Sequence, residues 1–369
     1  MQGMKQTEQM KKRDSNLELY RVIVMLLIVA HHYVVNSGIS PIAYENLTGA
    51  KSLFLFIFGA FGKTGINCFL LITGFYMCTS SITLKKYAKL ILEVMFYRAL
   101  FYILFWVTGV SEFSITGFIK TVLPVTSIKT NFTGCFLVFY LCIPFLSILV
   151  KNLTERQHRR LIFLCLGVCT VLGTIPWFEL SINYTTWFCI LFFVASYIRL
   201  HPCALFRNKK LWGWSTLLCL AAAVVSVVFG AHRGHQHWVF YLVSDSYKLL
   251  AVALSISSFL FFKNLKLKYN PLINAMGAST FGVLLIHANG DTMRAWLWQT
   301  LLKTPQMYDS PWLAVHAFAS VVCVFLICVV IDQLRIRLLE VPFFKLWDKY
   351  YPSACSWVSK HGGKLLQQL

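Results

Sequence analysis

Acidic side chains are scarce in this chain. Aspartate and glutamate together number 14 in 369 residues, against 34 lysines and arginines, and charged residues of either sign make up 13%. A soluble domain carries about 25%, so there is too little charge here to coat a water-exposed surface of this size. Twelve cysteines are present, but none forms a Cys-x-x-Cys pair; most sit inside apolar runs, as Cys165, Cys169, Cys219 and Cys323 do. That pattern excludes a zinc ribbon or a disulfide frame and reads as small buried apolar residues. The first apolar segment keeps its charges and lacks a small-residue cleavage site, so it reads as a retained helix and not a cleaved signal peptide. There is no low-complexity linker, no clear internal repeat and no second domain.

What fills the space is apolar. Hydrophobic residues make up 57% and aromatics 16%, with a mean hydropathy of +0.64. The expected fold is an all-α polytopic transmembrane bundle of about ten helices. The spans fall at roughly 18–38, 52–79, 90–110, 133–150, 161–176, 186–201, 211–230, 238–262, 272–289 and 312–334. The second contains Gly59, Gly62, Gly65 and Gly74 and is expected to break into two helices. Residues 1–16 read as a cytoplasmic N-terminal segment, 17–340 as the transmembrane domain and 341–369 as a cytoplasmic tail, with Phe343, Phe344, Trp347, Tyr350 and Tyr351 at the interface.

The net charge of +20 would suggest nucleic acid in a soluble protein. Here the basic residues alternate with the spans. Lys5, Lys11, Lys12 and Arg13 precede the first span, and Lys85, Lys86 and Lys89 follow the second. Lys151, Arg156, Arg159 and Arg160 follow the fourth, Arg207, Lys209 and Lys210 the sixth, Lys263, Lys266 and Lys268 the eighth, and Arg335, Arg337 and Lys345 the tenth. Every second connection is basic, which places both termini in the cytoplasm and excludes a nucleic-acid partner.

Charged and titratable groups are costly in hydrocarbon, so each one inside a span is a functional candidate. The first span holds Glu18, Arg21, His31 and His32. Arg21 and His32 are eleven positions apart, about three helical turns, which sets them on nearly one face roughly 16 Å apart. A neutral imidazole takes a proton from a hydroxyl, so His32 is a candidate general base; its bland alternative is a histidine satisfied by a backbone carbonyl. Arg21 reads either as an arginine that snorkels to the inner face or as a permanent cation for a phosphate or carboxylate, with Glu18 orienting it. His31 points about 100° away around the helix and reads as packing or support. In the ninth span Ser279, Thr280 and Gly282 precede His287, which either shares a cavity with His32 or faces solvent.

Other polar groups are less pointed. Asn67 and Thr64 stand among glycines where they could line a pathway, Glu93 and Arg98 are spaced to pair with each other, and Asp332 and Arg335 likewise. The run Ala231-His-Arg-Gly-His-Gln-His237 holds three histidines, but loop histidines without nearby acids or cysteines ordinarily face water, and no metal is expected.

These residues resemble the acyltransferase-3 family of integral membrane acyltransferases. Asn16-Leu17-Glu18 followed by Arg21 and, ten residues further on, His32 is similar to the family's leading signature. The run Gly62-Lys-Thr-Gly65-Ile-Asn-Cys-Phe69-Leu-Leu-Ile-Thr-Gly74-Phe75 resembles its second. The stretch from Cys135 to Pro144 resembles its fourth-span pattern, with Gly134 and Cys135 where the family more often has tryptophan. Phe193-Val-Ala-Ser-Tyr197-Ile-Arg199, Phe281 through His287 and Ile331-Asp-Gln-Leu-Arg335 are similar to later patterns.

The resemblance implies acyl transfer, usually of acetyl, from cytoplasmic acetyl-CoA (an acyl-CoA co-substrate) to a hydroxyl of a surface polysaccharide or lipid-linked glycan, in the plasma membrane of a bacterial cell. It implies His32 as the catalytic residue with Arg21 as its essential partner, also on the acyl-CoA side, and Glu18 beside them. His287, His31, Asn67 and Arg98 are expected to contact substrate. The competing expectations are a transporter or flippase of an amphiphilic sugar or lipid, suggested by the glycine-broken second span, and a membrane sensor or partner module.

Overall fold

The computed structural model describes residues 14–123, 132–178 and 180–351. Lys5, Lys11, Lys12 and Arg13 of the expected basic leader, and the tail beyond 351, lie outside the described residues. Every regular element among the described residues is helical. The principal helices are α1 (Ser15–Val35), α2 (Ala50–Gly59), α3 (Gly62–Met77), α4 (Leu84–Val107), α5 (Phe132–Asn152) and α6 (Glu155–Leu166). They continue with α7 (Tyr184–Leu200), α8 (Lys209–His232), α9 (Leu249–Lys263), α10 (Pro271–Ala278), α11 (Thr280–His287) and α12 (Leu313–Arg335). The chain stays helical past α12 to Tyr351.

Six stretches are individually long and apolar enough to cross a membrane: Ser15–Val35, Ala50–Met77, Leu84–Val107, Phe132–Asn152, Lys209–His232 and Leu313–Tyr351. By length and composition these are six candidate crossings, where the sequence reading expects about ten. The remaining four are shorter or interrupted. α7 and α9 are apolar, at 17 and 15 residues. α6 passes into a π-helical turn, Gly167–Leu172, and the 272–289 segment is split at Ser279 into α10 and α11.

Two expected boundaries move. The long helix of the 238–262 segment begins only at Leu249, because 240–248 forms turns around the polar run Ser244-Asp245-Ser246 after the short helix Gln236–Val239. α4 starts at Leu84, where the Thr83 hydroxyl caps the Lys86 amide, so Lys85, Lys86 and Lys89 stand on a helix and not in a loop. The second span breaks as its glycines suggest, at Ala60–Phe61 between α2 and α3.

Large apolar side chains point outward along α4 (Leu100, Ile103, Leu104), α8 (Trp214, Leu218, Val225) and α12 (Val315, Val322, Ile327). In water such a belt would aggregate; against hydrocarbon it is the expected surface. α1 instead lies inside. It packs against α2 and α3, against α9, α10 and α11, and against α12. Close approach is achieved with small residues, as in other membrane bundles. A Cβ on Gly277 of α10 would collide with Glu18 of α1, and one on Gly282 of α11 with Asp332 of α12.

The N-terminal end of α1 is tied down by polar side chains. Asn16 Nδ2 donates to the carbonyls of Phe262, Lys263 and Leu265 at 3.0, 3.1 and 3.0 Å. These acceptors lie at and just beyond the end of α9, where carbonyls lack intrahelical partners. Ser15 Oγ donates to Asn274 Oδ1 at 2.8 Å and accepts from the Asn270 amide at 2.9 Å.

The expected Glu93–Arg98 pair is not formed. Glu93 instead accepts from Arg335 at 3.0 Å, since Arg335 returns from the end of α12 to the same level of α4. Arg335 also binds Asp332 at 2.9 Å, the expected pairing, and Glu340 at 2.8 Å. Tyr97 donates to Asp332 Oδ1 at 2.8 Å, and Lys89 reaches Glu340 at 2.5 Å. A guanidinium has five N–H donors in a fixed fork, which is what a cluster of three carboxylates needs.

Candidate active site

α1, α3, α4, α5 and α11 enclose one cavity of about 800 Å³. Its walls come from helices far apart in sequence. α1 supplies Arg21, Met25, Ile28, His31 and His32, and α3 supplies Gly62, Lys63, Ile66, Phe69 and Thr73. α4 supplies Lys86, Lys89 and Arg98, α5 Phe132 and Phe136, and α11 Thr280, Phe281 and Leu284. Since Arg21 and His32 both line it, the cavity follows α1 for eleven residues, about 16 Å of helical rise. Its lining mixes apolar side chains with charged ones, Glu93 of α4 among them.

At the end near the start of α1, Arg21 stands with Lys86, Lys89, Thr73 and Tyr76. The Glu18 carboxylate is 3.9 Å from Arg21 Nε and buried behind it, at 7% side-chain exposure against 25% for Arg21. Glu18 is wedged against Gly277 and does not line the cavity; Arg21 does.

At the other end, His32 Nδ1 lies 2.9 Å from His287 Nε2, and His287 Nδ1 lies 2.6 Å from the Val283 carbonyl oxygen. A carbonyl only accepts, so His287 carries its hydrogen on Nδ1. With both rings neutral, His287 Nε2 must then accept from His32 Nδ1, and the His32 lone pair is on Nε2. The arrangement sets the tautomer a base requires. His287 is fully buried and stands behind His32, not in the cavity wall.

His31 also lines the cavity. Its Nδ1 donates to the Gly59 carbonyl at 2.7 Å, an acceptor left unpaired by the break between α2 and α3. The ring occupies the space a side chain on Gly62 would need, which accounts for a glycine there. His31 therefore secures the break while showing its other nitrogen to the cavity.

Arg98 lines the cavity at 7% exposure and donates to the Thr121 carbonyl at 3.3 Å. Asn67 is elsewhere. It is fully buried, donates to the Ser246 carbonyl at 2.7 Å and accepts from Trp187 Nε1 at 2.9 Å. In place of the expected substrate contact, Asn67 forms a tether between α3, α7 and the turns before α9, because its amide nitrogen and oxygen both bond protein and it does not line the cavity.

Sequence reasoning passed over Lys63 and Arg294, which line the cavity at the histidine end. Lys63 was in view, inside the Gly62–Gly65 run, but a glycine-rich stretch draws attention to backbone geometry. Arg294 sits on the short helix Asp291–Ala295, which follows α11. Of the loop histidines, His232 Nδ1 bonds the Val228 carbonyl at 2.8 Å, and among the described residues no three His, Cys, Asp or Glu side chains are grouped to hold a metal.

Such a site can take a proton at one end of the cavity and hold negative charge at both. No curated protein and no solved structure gives a significant match to the chain. The family model described as an acyltransferase domain matches residues 14–332, from the start of α1 to Asp332. That span contains α1 through most of α12, and by this match the chain belongs to the acyltransferase-3 family of membrane acyltransferases.

Proposed function

We propose that this acyltransferase moves an acetyl group from cytoplasmic acetyl-CoA to a hydroxyl of a surface polysaccharide or lipid-linked glycan, in the plasma membrane of a bacterial cell. The alternation of basic connections supports cytoplasmic termini and ten crossings, which puts Arg21 at the inner mouth and His32 toward the outer one. Arg21, Lys86 and Lys89 then meet the phosphates of the donor from the cytoplasm. His32 meets the acceptor hydroxyl.

The single observation that carries this reading is the hydrogen-bond chain from the Val283 carbonyl through His287 to His32 Nδ1, at 2.6 and 2.9 Å. It leaves His32 Nε2 as a base on the cavity side. His32 takes the acceptor's hydroxyl proton as the hydroxyl oxygen bonds to the thioester carbonyl carbon. The C–S bond then breaks, and the departing sulfur takes the proton from the imidazolium, so that a free thiol and an ester result.

The test is purified protein in nanodiscs with radiolabelled acetyl-CoA and a surface-glycan fraction. Ester-linked label in the glycan, lost in His32→Ala at equal protein level, is the expected result. Unchanged labelling in His32→Ala removes His32 from the mechanism. A transporter or flippase, in contrast, neither binds nor consumes acetyl-CoA.

A further inference from the structure

The histidine end of the cavity is more cationic than its chemistry requires. Lys63, Arg98 and Arg294 line the cavity, and of its two lining carboxylates among the described residues, Glu93 and Asp291, Glu93 is already engaged by Arg335 at 3.0 Å. Asp291 is bound to Arg294 at 2.5 Å, and its side chain is 99% exposed, so water screens most of what it could offset. The Lys63 ammonium donates to the Tyr184 hydroxyl at 2.8 Å and lies 5.6 Å from the ring centre. Both partners are neutral, and among the described residues no carboxylate pairs with it.

This arrangement is unfavourable for the reaction unless something else enters. A general base becomes a cation as it takes its proton, and fixed cations lining the same cavity oppose that charge. Behind the base, His287 is anchored on a carbonyl, where a carboxylate would have stabilised an imidazolium. The missing negative charge therefore has to arrive with the substrate.

We propose that the acceptor carries an oxyanion, carboxylate or phosphate, close to the hydroxyl that is acylated, and that Lys63 and Arg294 hold it. The inference rests on the acyl-transfer reading for which hydroxyl is meant, but the binding it describes does not depend on turnover. The two sources of such an anion are an acidic sugar within a polysaccharide and the phosphate of a lipid-linked sugar. Lys63 provides a mobile point charge and Arg294 a planar fork, a pair suited to either group. The anion, once seated between them, offsets the charge that forms on His32 and sets the sugar ring at the mouth.

The experiment uses the full chain in nanodiscs and three probes: methyl β-glucuronide, glucose 1-phosphate and methyl β-glucoside. At least one charged probe is expected to bind about tenfold more tightly than the neutral one, the equivalent of one good charged contact. The same preference is expected in His32→Ala, where turnover is lost, and in Lys63→Arg, where the charge is kept. In Lys63→Gln combined with Arg294→Gln the preference is expected to vanish. Whichever charged probe binds more tightly identifies the carboxylate or the phosphate source. Equal binding of all three probes overturns the proposal, as does a preference that survives the double substitution in protein that elutes and melts like the parent. Failure of acetyl transfer with the preference intact would count against the acyl-transfer reading alone.

Discussion

His32 Nδ1 and His287 Nε2 lie 2.9 Å apart although 255 residues separate them in the chain. The contact ties α1 to α11 at one end of the cavity. Since His287 is anchored on the Val283 carbonyl, it acts on His32 through orientation and tautomer, not by touching substrate.

Replacing His287 by Ala should therefore leave His32 in place but free to rotate and to exchange tautomers. The expected loss in kcat is about 10²–10⁴-fold, the range for a misoriented base. The KM for acetyl-CoA should change little, because the proposed function assigns the donor phosphates to the Arg21 end. Steady-state kinetics on the purified variant check this, and a large rise in donor KM with kcat intact would count against the orienting role.

Much of this end of the site was legible in the sequence. His32 and His287 stand out because ionisable groups are rare inside apolar spans, and Arg21, at the other end, because it shares a helical face with His32. The break in the second span was legible from its glycines. What could not be read was partnership across helices. Glu93 and Arg98 are five apart on α4, near enough to suggest pairing, yet the partner of Glu93 is Arg335, 242 positions away. Likewise Asn67 in a glycine-rich span could face a channel or a neighbour, and only the positions of Trp187 and Ser246 decide between them. Local spacing reports faces, and tertiary packing decides who stands opposite.

The Arg335 cluster yields a stability prediction. Asp332 is fully buried, and Glu93 and Glu340 are 10% and 8% exposed. Arg335→Met keeps the packing volume but leaves carboxylates buried with no guanidinium, which costs about 3–5 kcal/mol. The variant should melt well below the parent in detergent or accumulate poorly in membranes. Arg335→Lys should recover only part of the loss, as one ammonium cannot serve three carboxylates in the geometry of a fork.

Arg21→Lys tests the Arg21 end of the cavity. The charge is retained, but the fork that suits a phosphate is lost. The expected outcome is an increase of about tenfold in KM for acetyl-CoA, near 1.4 kcal/mol, with kcat reduced less. The difference between variant and parent should narrow at high salt, since exposed charge contributes less there. An unchanged donor KM would favour an arginine that serves only to orient α1.

The Asn67 tether gives a prediction that separates structure from chemistry. Asn67→Ala strands two buried groups, the Trp187 Nε1–H and the Ser246 carbonyl, at about 1–3 kcal/mol for each group left unpaired. Trp187→Phe strands only the Asn67 oxygen. In a double-mutant cycle read by thermal unfolding, the two changes should therefore couple, with the double variant less destabilised than the sum of the singles. Ser246 also donates from Oγ to the Lys63 carbonyl at 3.3 Å, so loosening the turn that carries it also loosens the backbone beneath Lys63. Acceptor KM should then rise more than donor KM in Asn67→Ala. Equal shifts in the two constants, or additive melting temperatures, would mean that Asn67 supports the fold generally and has no particular hold on the histidine end of the cavity.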